Sequence, residues 1–122
     1  QLGRPLLIVG QGPENHRLRK IAGPHVEFLG AVSNRTVADL YSKCRAFVFP
    51  GVEDFGITPL EAMASGAPVI ALDQGGVQET VTSETGLFFS EQTVESLIEA
   101  VLRFENLEGD FDPEACRKRA RE

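Results

Sequence analysis

The sequence predicts an α/β fold: a Rossmann-like parallel sheet with helices on both faces, formed by one domain over residues 1–122. Short apolar runs alternate with segments of helical spacing, which is the order that βαβ units produce. The runs LLIV at 6–9 and AFVF at 46–49 are apolar without alternation, as strands buried on both faces of a parallel sheet are. A chain of 122 residues is long enough for one domain with a stable core.

The first third of the chain predicts two strands with a helix between them. The apolar run 6–9 stops at GQGP, and the run 26–30 stops at a glycine, so both are predicted strands. Residues 14–22 have helical spacing, with Leu18 and Ile21 on one face, and a Gly-Pro pair ends this helix.

The middle of the chain repeats this alternation. Ser33 or Asn34 caps a predicted helix whose apolar residues recur at i, i+3, i+4 and i+7 as far as Cys44. The strand 46–49 follows and stops at a Pro-Gly pair. A helix over 58–65 should then end at a glycine.

The last third predicts two more strands and three helices. A strand over 68–72 leads through the loop DQGG into a short helix over 77–81. A strand over 86–89 precedes an amphipathic helix over 93–104. A polar break over 105–110 separates that helix from a final one, which begins near a proline, a residue tolerated in a first helical turn.

Composition excludes several classes of function. The net charge of −6 argues against non-specific nucleic-acid binding and against anionic membranes. The basic cluster near the end alternates with glutamates, so a solvated helix face is expected there; it comprises Arg117, Lys118, Arg119 and Arg121. The two cysteines are far apart and lack metal-ligand spacing, which favours a reducing compartment. No apolar stretch has the length of a membrane span, and the first residues lack the pattern of a signal peptide.

The stretch VEDFGITPLEAMASGAPVIA, at 52–71, holds two carboxylates eight positions apart, Glu53 and Glu61. A structural interpretation is available for the second one. Thr58 as N-cap, Pro59 at the first helical position and Glu61 at the third would form a capping box, which needs no ligand. That interpretation gives no role to Glu53 or to the Phe55-Gly56 pair.

A binding interpretation accounts for the whole stretch. The backbone amides of Gly56, Ile57 and Thr58 open a helix after a strand, where they and the helix dipole favour an anion such as phosphate. Carboxylates repel phosphate, so Glu53 and Glu61 are better placed to accept hydrogen bonds from hydroxyl groups on either side of it. A nucleotide sugar carries ribose hydroxyls, a diphosphate and sugar hydroxyls in that order.

The same sequence allows other interpretations. GQGPEN resembles a dinucleotide loop, but Asn15 stands where that fingerprint requires a third glycine or an alanine. Two carboxylates also suggest a glycosidase. Amide dipoles at a helix start favour a charged Glu61, however, whereas a glycosidase acid must be protonated. The second glycine loop, DQGGVQE at 73–79, is either a further set of amides near the diphosphate or a plain turn.

The motifs resemble those of the family 4 retaining glycosyltransferases, in the C-terminal donor-binding domain of their GT-B fold. The segment FPGVEDFGITPLEAMASGAPVIALDQGGVQETVTSETGLFF contains the family's E-x7-E, with F-G after the first glutamate, then E-A-M-A-x-G-x-P-V-I, G-G-x-x-E and T-G-L. The upstream segments LLIVGQGPENHRL, VEFLGAVS and LYSKCRAFVFP also follow the family's order. The resemblance covers nearly the whole chain.

The resemblance implies a role for each candidate residue. Glu53 is the implied catalytic residue, contacting hydroxyls of the transferred sugar, and Glu61 would bind the ribose. The implied diphosphate contacts come from the start of the helix, where Phe55 belongs to the same motif: Gly56, Ile57 and Thr58. The residues implied to line the base and border the nucleotide are Gly30, Val32, Gly10 and Gly12.

The implied reaction is retaining transfer of a hexose, such as mannose or glucose, from a nucleotide diphosphate sugar to a glycan, lipid or small molecule. The resemblance implies no divalent metal and no other cofactor. From the charge and hydropathy described above, we expect no nucleic-acid partner and no direct membrane insertion by this domain. The cysteine content predicts a cytoplasmic location, and the full-length protein can still associate with membranes. A nucleotide- or dinucleotide-binding module without transferase activity, and a GT-B sugar-nucleotide epimerase, remain the alternatives.

The chain departs from the family pattern at its start. Family members carry an N-terminal acceptor-binding domain and then a first βα unit, whose Arg and Lys hold the diphosphate. Arg4 does not match those basic positions. We therefore expect a fragment of a larger two-domain enzyme, inactive in transfer by itself.

Overall fold

The computed structural model describes residues 5–9, 24–30, 32–49, 57–107, 109 and 111–121. The chain divides into two compact units, Gln1–Val37 and Ala38–Glu122. The helix predicted over 14–22 lies outside the described residues. No helix in the described ranges is both long enough and apolar enough to cross a bilayer.

The first unit contains a parallel pair of strands, β1 (Leu6–Val9) and β2 (Val26–Gly30). The expected burial of β1 on both faces is wrong for this unit, because Leu6 and Leu7 are 45% and 47% exposed. A continuous apolar run shows that a strand avoids water, but it does not specify how many elements cover the strand. In the described part of this unit, β1 pairs with β2 alone.

Helix α1 (Asn34–Lys43) begins as predicted, with Ser33 as its N-cap. The Ser33 hydroxyl oxygen accepts a hydrogen bond from the backbone N–H of Thr36 at 3.1 Å. This bond satisfies one of the amides that a helix start leaves without an intrahelical partner.

The second unit is a three-stranded parallel sheet with four further helices. Its strands are β3 (Phe47–Phe49), β4 (Val69–Leu72) and β5 (Gly86–Phe89), in that spatial order. The helices are α2 (Ile57–Ala64), α3 (Val77–Thr80), α4 (Val94–Leu107) and α5 (Pro113–Arg121).

Strand β4 is the centre of the core and is buried at every residue. Val69 and Ala71 pack in a cluster with residues of α2, α3 and α5, while Ile70 and Leu72 pack in a second cluster with residues of α4. Successive side chains of a strand point to opposite faces, so this unit has helices on both faces of its sheet, as predicted.

Several helix boundaries differ from the prediction by one to three residues. Helix α2 begins at Ile57, so Thr58 is its second residue and not its N-cap; the predicted capping box with Glu61 is therefore wrong. Helix α4 continues three residues beyond Phe104 to Leu107. The segment after Phe104 is polar, but it contains no proline, and no glycine before Gly109, so nothing in it opposes another helical turn.

Candidate functional site

The candidate site in the second unit lies where the parallel strands end. Strands β3, β4 and β5 run in one direction, so their carboxyl ends share one edge of the sheet. The chain leaves β3 at Phe49 and enters α2 at Ile57, and it leaves β4 at Leu72 and enters α3 at Val77. Ligands of open α/β sheets bind beyond this edge.

Helix α2 separates a buried face from an exposed one. Pro59, Ala62 and Met63 are fully buried, whereas Glu61 is exposed. Pro59 occupies the third helical position, where its missing N–H costs no intrahelical hydrogen bond. The buried side chains fix the helix against the sheet, so its N-terminal residues, Ile57 and Thr58, are held at the sheet edge. Glu61 is then available to a ligand.

Tyr41, an apolar position of the predicted helix α1, is a neighbour of Glu61. Burial, and after it the negative charge of Glu61, raises the pKa of the Tyr41 phenol. The Tyr41 ring packs edge-on against Phe47, with ring centroids 5.3 Å apart. Helical spacing predicts that Tyr41 faces the core, but no local signal relates it to a residue twenty positions away.

The loop and helix after β4 form a closed segment, residues 73–80. The Gln78 side-chain amide donates to the backbone carbonyl of Asp73 at 3.2 Å and to its carboxylate at 3.1 Å. Gly75 has a φ of 78°, in the left-handed region that favours glycine. Val77 is fully buried in the core. The turn is one of the two interpretations that the sequence allows, and the structure adds the bond that closes it; a role of these amides at the diphosphate stays a prediction.

Arg119 of α5 is bonded to the end of this segment. Its Nε donates to the backbone carbonyl of Thr80 at 3.1 Å, and a terminal nitrogen donates to the carbonyl of Glu79. The prediction that this basic cluster is wholly a solvated helix face is therefore wrong for Arg119. A basic residue of an amphipathic helix carries no local signal for a partner about forty positions earlier.

The other predicted donor-binding residues divide between the first unit and the undescribed positions. Gly30 ends β2 with a φ of 70° and is buried, and Val32 follows it, partly buried. The remaining predicted positions, which include the implied catalytic glutamate, lie outside the described residues: Gly10, Gly12, Glu53, Phe55 and Gly56. Within the described ranges, no group of three or more His, Cys, Asp or Glu side chains is arranged to hold a metal ion.

Comparison with known proteins identifies the family. The profile of the family "Glycosyl transferases group 1" matches residues 3–122. A GDP-mannose-dependent monoacylated alpha-(1-6)-phosphatidylinositol monomannoside mannosyltransferase of Corynebacterium glutamicum is 37% identical over an alignment of 108 residues. The alignment covers 80% of this chain and 28% of that protein. A GDP-mannose-dependent alpha-(1-6)-phosphatidylinositol monomannoside mannosyltransferase of Mycobacterium tuberculosis is also 37% identical, over an alignment of 113 residues that covers 81% of this chain and 29% of the relative. The chain thus spans less than a third of these relatives.

A solved structure gives the same result for the fold. Sucrose-phosphate synthase from Thermosynechococcus elongatus superposes with a TM-score of 0.84 and 32% identity, covering 95% of this chain and 33% of that one. The parallel strands, the flanking helices and this likeness confirm the predicted fold class, the C-terminal α/β half of a GT-B fold. The relatives do not support the dinucleotide-binding alternative or the epimerase alternative. On its match over residues 3–122, the chain belongs to the glycosyl transferases group 1 family.

Proposed function

We propose that this chain is the nucleotide-sugar-binding part of a retaining glycosyltransferase that transfers a hexose from a nucleotide diphosphate sugar to a glycan, lipid or small-molecule acceptor. The observation that carries the proposal is the family match over residues 3–122. The position of α2 at the carboxyl edge of a parallel sheet supports it, because that edge is where such folds bind ligands. In the full-length protein, an N-terminal domain would bind the acceptor.

Helix α2 would bind the diphosphate and stabilise it as the leaving group. In this proposal the backbone amides of Gly56, Ile57 and Thr58 donate to diphosphate oxygens, and the positive end of the helix dipole favours their charge. Charge develops on the diphosphate as the glycosidic bond breaks. A helix already fixed by its buried side chains needs no rearrangement at that moment, which is the basis of electrostatic catalysis. The mechanism requires no divalent metal.

The two glutamates would orient the hydroxyl groups on either side of the diphosphate. Glu61 is exposed on α2 and would accept hydrogen bonds from the ribose. Glu53 would accept hydrogen bonds from the transferred sugar, and we assign it the catalytic role. The roles that the family resemblance implies for Gly30 and Val32 at the base, and for Gly10 and Gly12 beside the nucleotide, stay predictions.

GDP-mannose is the donor we propose. The names of both bacterial relatives described above specify dependence on GDP-mannose, at 37% identity to this chain. Mannose is therefore favoured over glucose as the transferred hexose. The reaction would take place in the cytoplasm, where nucleotide sugars are available to a reduced protein.

Calorimetric titration of the full-length protein that carries this chain tests the proposal. We expect GDP and GDP-mannose to bind more tightly than UDP or ADP, with the same affinity in the presence of a chelator. Glu53→Gln should lower kcat for mannosyl transfer and leave the thermal unfolding midpoint unchanged. Absence of binding by every nucleotide would contradict the proposal, and tighter binding of UDP would contradict the choice of base.

A further inference from the structure

We infer that Arg119 is a positioning residue for the nucleotide-sugar site, because it holds the segment 73–80 at the carboxyl end of β4. The inference rests on the proposed function, since it concerns how that site is kept in shape. Arg119 itself lies on the last helix of the chain and is not a predicted contact of the donor.

The bonds from Arg119 join segments that are distant in sequence. Its guanidinium donates to the backbone carbonyls of Glu79 and Thr80, which lie 40 and 39 positions earlier. These are carbonyls at the end of α3, where a helix leaves its last acceptors without intrahelical donors. Hydrogen bonds from a charged donor are about twice as strong as neutral ones.

Helix α3 needs such outside support, because it has only four residues. One helical turn does not repay the entropy of fixing its backbone, so tertiary contacts must hold it. Three contacts do so here: the Gln78 side chain closes the segment onto Asp73, Val77 is buried in the core, and Arg119 binds the far end. Val77 and Arg119 both link the segment to the rest of the unit, and Arg119 does so by hydrogen bonds to its far end.

Arg119 is in turn held by a fixed helix. Cys116 lies one turn earlier on the same side of α5 and is fully buried in the core cluster that includes Ala62 and Met63 of α2. The start of α5 is capped, because the Asp112 carboxylate accepts the backbone N–H of Glu114 at 3.0 Å. A guanidinium on an anchored helix has a fixed position, so it restrains the carbonyls that it binds.

Helix α5 also borders the end of α2. The Arg117 guanidinium lies so close to Gly66 that a Cβ added to that glycine would be 2.9 Å from its terminal nitrogen. Gly66 has a φ of 94° and follows the last turn of α2. One helix therefore contacts the ends of both α2 and α3, the two helices that begin at the candidate site.

The consequence for binding follows from the position of the segment. It begins directly after β4, and α3 contacts α2, whose N-terminal end is the proposed diphosphate site. If Arg119 is replaced, the segment must be ordered when the donor binds, and that ordering reduces affinity. We expect the loss to be on the order of tenfold in Kd, the effect of ordering one or two side chains.

The test uses the full-length protein with three variants. Arg119→Gln removes both bonds, Arg119→Lys keeps the charge but loses the fork that reaches two carbonyls, and Arg121→Gln is the matched control on the exposed end of the same helix. The readouts are the Kd for GDP-mannose by calorimetry, KM and kcat for transfer, and hydrogen exchange of the amides at 77–81.

We expect Arg119→Gln to raise Kd and the donor KM about tenfold with kcat nearly unchanged, and to accelerate exchange at 77–81. Arg119→Lys should restore part of the affinity, and Arg121→Gln should match the wild type. If Arg119→Gln does not fold, the Lys variant must show the same effects at smaller size. Unchanged Kd in a variant whose melting temperature falls would overturn the inference and leave Arg119 a purely structural role. No nucleotide binding by the wild type would instead refute the proposed function.

Discussion

The phenol of Tyr41 in α1 and the carboxylate of Glu61 in α2 interact electrostatically: after burial, the charge of Glu61 is the next cause that raises the phenol's pKa. The two side chains come from helices on either side of β3 in sequence. Glu61 is thus oriented by its helix toward a surface that α1 also borders. This relationship provides a direct measurement of the Glu61 charge, without a ligand.

Replacing Glu61 with glutamine should lower the pKa of Tyr41, because a nearby negative charge opposes ionisation of the phenol. The pKa should stay above its ordinary value of 10.0, since burial is the larger cause and persists. The chain has one tyrosine and no tryptophan, so the absorbance of tyrosinate reports this group alone. Glu91→Gln, at an exposed loop position, is the control. An unchanged titration in Glu61→Gln would show that the two groups do not interact.

Glu61→Ala should weaken nucleotide binding with little effect on folding. The residue is exposed and lies at the fifth position of α2, so it does not cap the helix start. We expect the free energy of unfolding to change by less than about 0.5 kcal/mol, as for other surface sites. The Kd for GDP should rise on the order of tenfold, for the loss of a charged hydrogen bond. Chemical denaturation and calorimetry of the same samples, with Glu91→Ala as control, measure both. A loss of about 1 kcal/mol with unchanged Kd would restore the capping interpretation.

The sequence predicts the strands well because their signals are local. The run at 69–72 is apolar at every position and lies between Pro68 and Asp73, and it is the fully buried β4. The N-cap of α1 is equally local, because Ser33 lies three residues from the amide it accepts. Features of this kind depend on residues within one turn of each other.

The features that the sequence did not predict depend on partners distant in the chain. In the sequence, Arg119 is indistinguishable from the other basic residues of a solvated helix, because the backbone carbonyls that it binds, those of Glu79 and Thr80, belong to another element. The exposure of Leu6 is of the same kind, because burial depends on which elements cover a strand. The motif around Glu61 is visible in the sequence. The hydrogen bonds by which Arg119 holds the neighbouring segment 73–80 are not.

Stability should fall at alkaline pH because the buried Cys116 thiol and the partly buried Tyr41 phenol have raised pKa values. Burial, followed by the nearby Asp112 charge, raises the pKa of the Cys116 thiol above 9.0, although Arg117 opposes this; Tyr41 is raised above 10.0. The folded state thus holds these protons more tightly than the unfolded chain. The resulting stability is fully present below about pH 9 and is lost as the pH rises through the folded-state pKa values.

Urea unfolding across this range measures the loss. Cys116→Ala should reduce the decline that begins near pH 9, whereas Ser83→Ala, an exposed position that does not titrate, should leave it unchanged. The alanine variant is also expected to be less stable at neutral pH, because it leaves a small cavity in the core. The comparison therefore concerns the slope with pH and not the absolute stability. If the free energy of unfolding declines with pH at the same slope in both variants, Cys116 is not the cause of the decline.

Gly86→Ala should severely destabilise the second unit. A Cβ at this position would lie 2.0 Å from the backbone carbonyl oxygen of Val69, in the neighbouring strand β4. Backbone atoms of a paired strand cannot move aside without breaking the β4–β5 ladder, so the strands must separate or shift. We expect the free energy of unfolding to fall by more than about 3 kcal/mol, because losses of this size arise from a few mechanisms that include strain at a constrained backbone site.

Gly109→Ala is the matched control, because a Cβ there would meet nothing within 4 Å. That variant should change stability by less than about 0.5 kcal/mol, since the site is exposed. Thermal and urea unfolding of the two variants, followed by circular dichroism, make the comparison. A Gly86→Ala protein as stable as the control would mean that β5 approaches β4 less closely than the structure shows. The glycine of the T-G-L motif would then need an explanation other than strand packing.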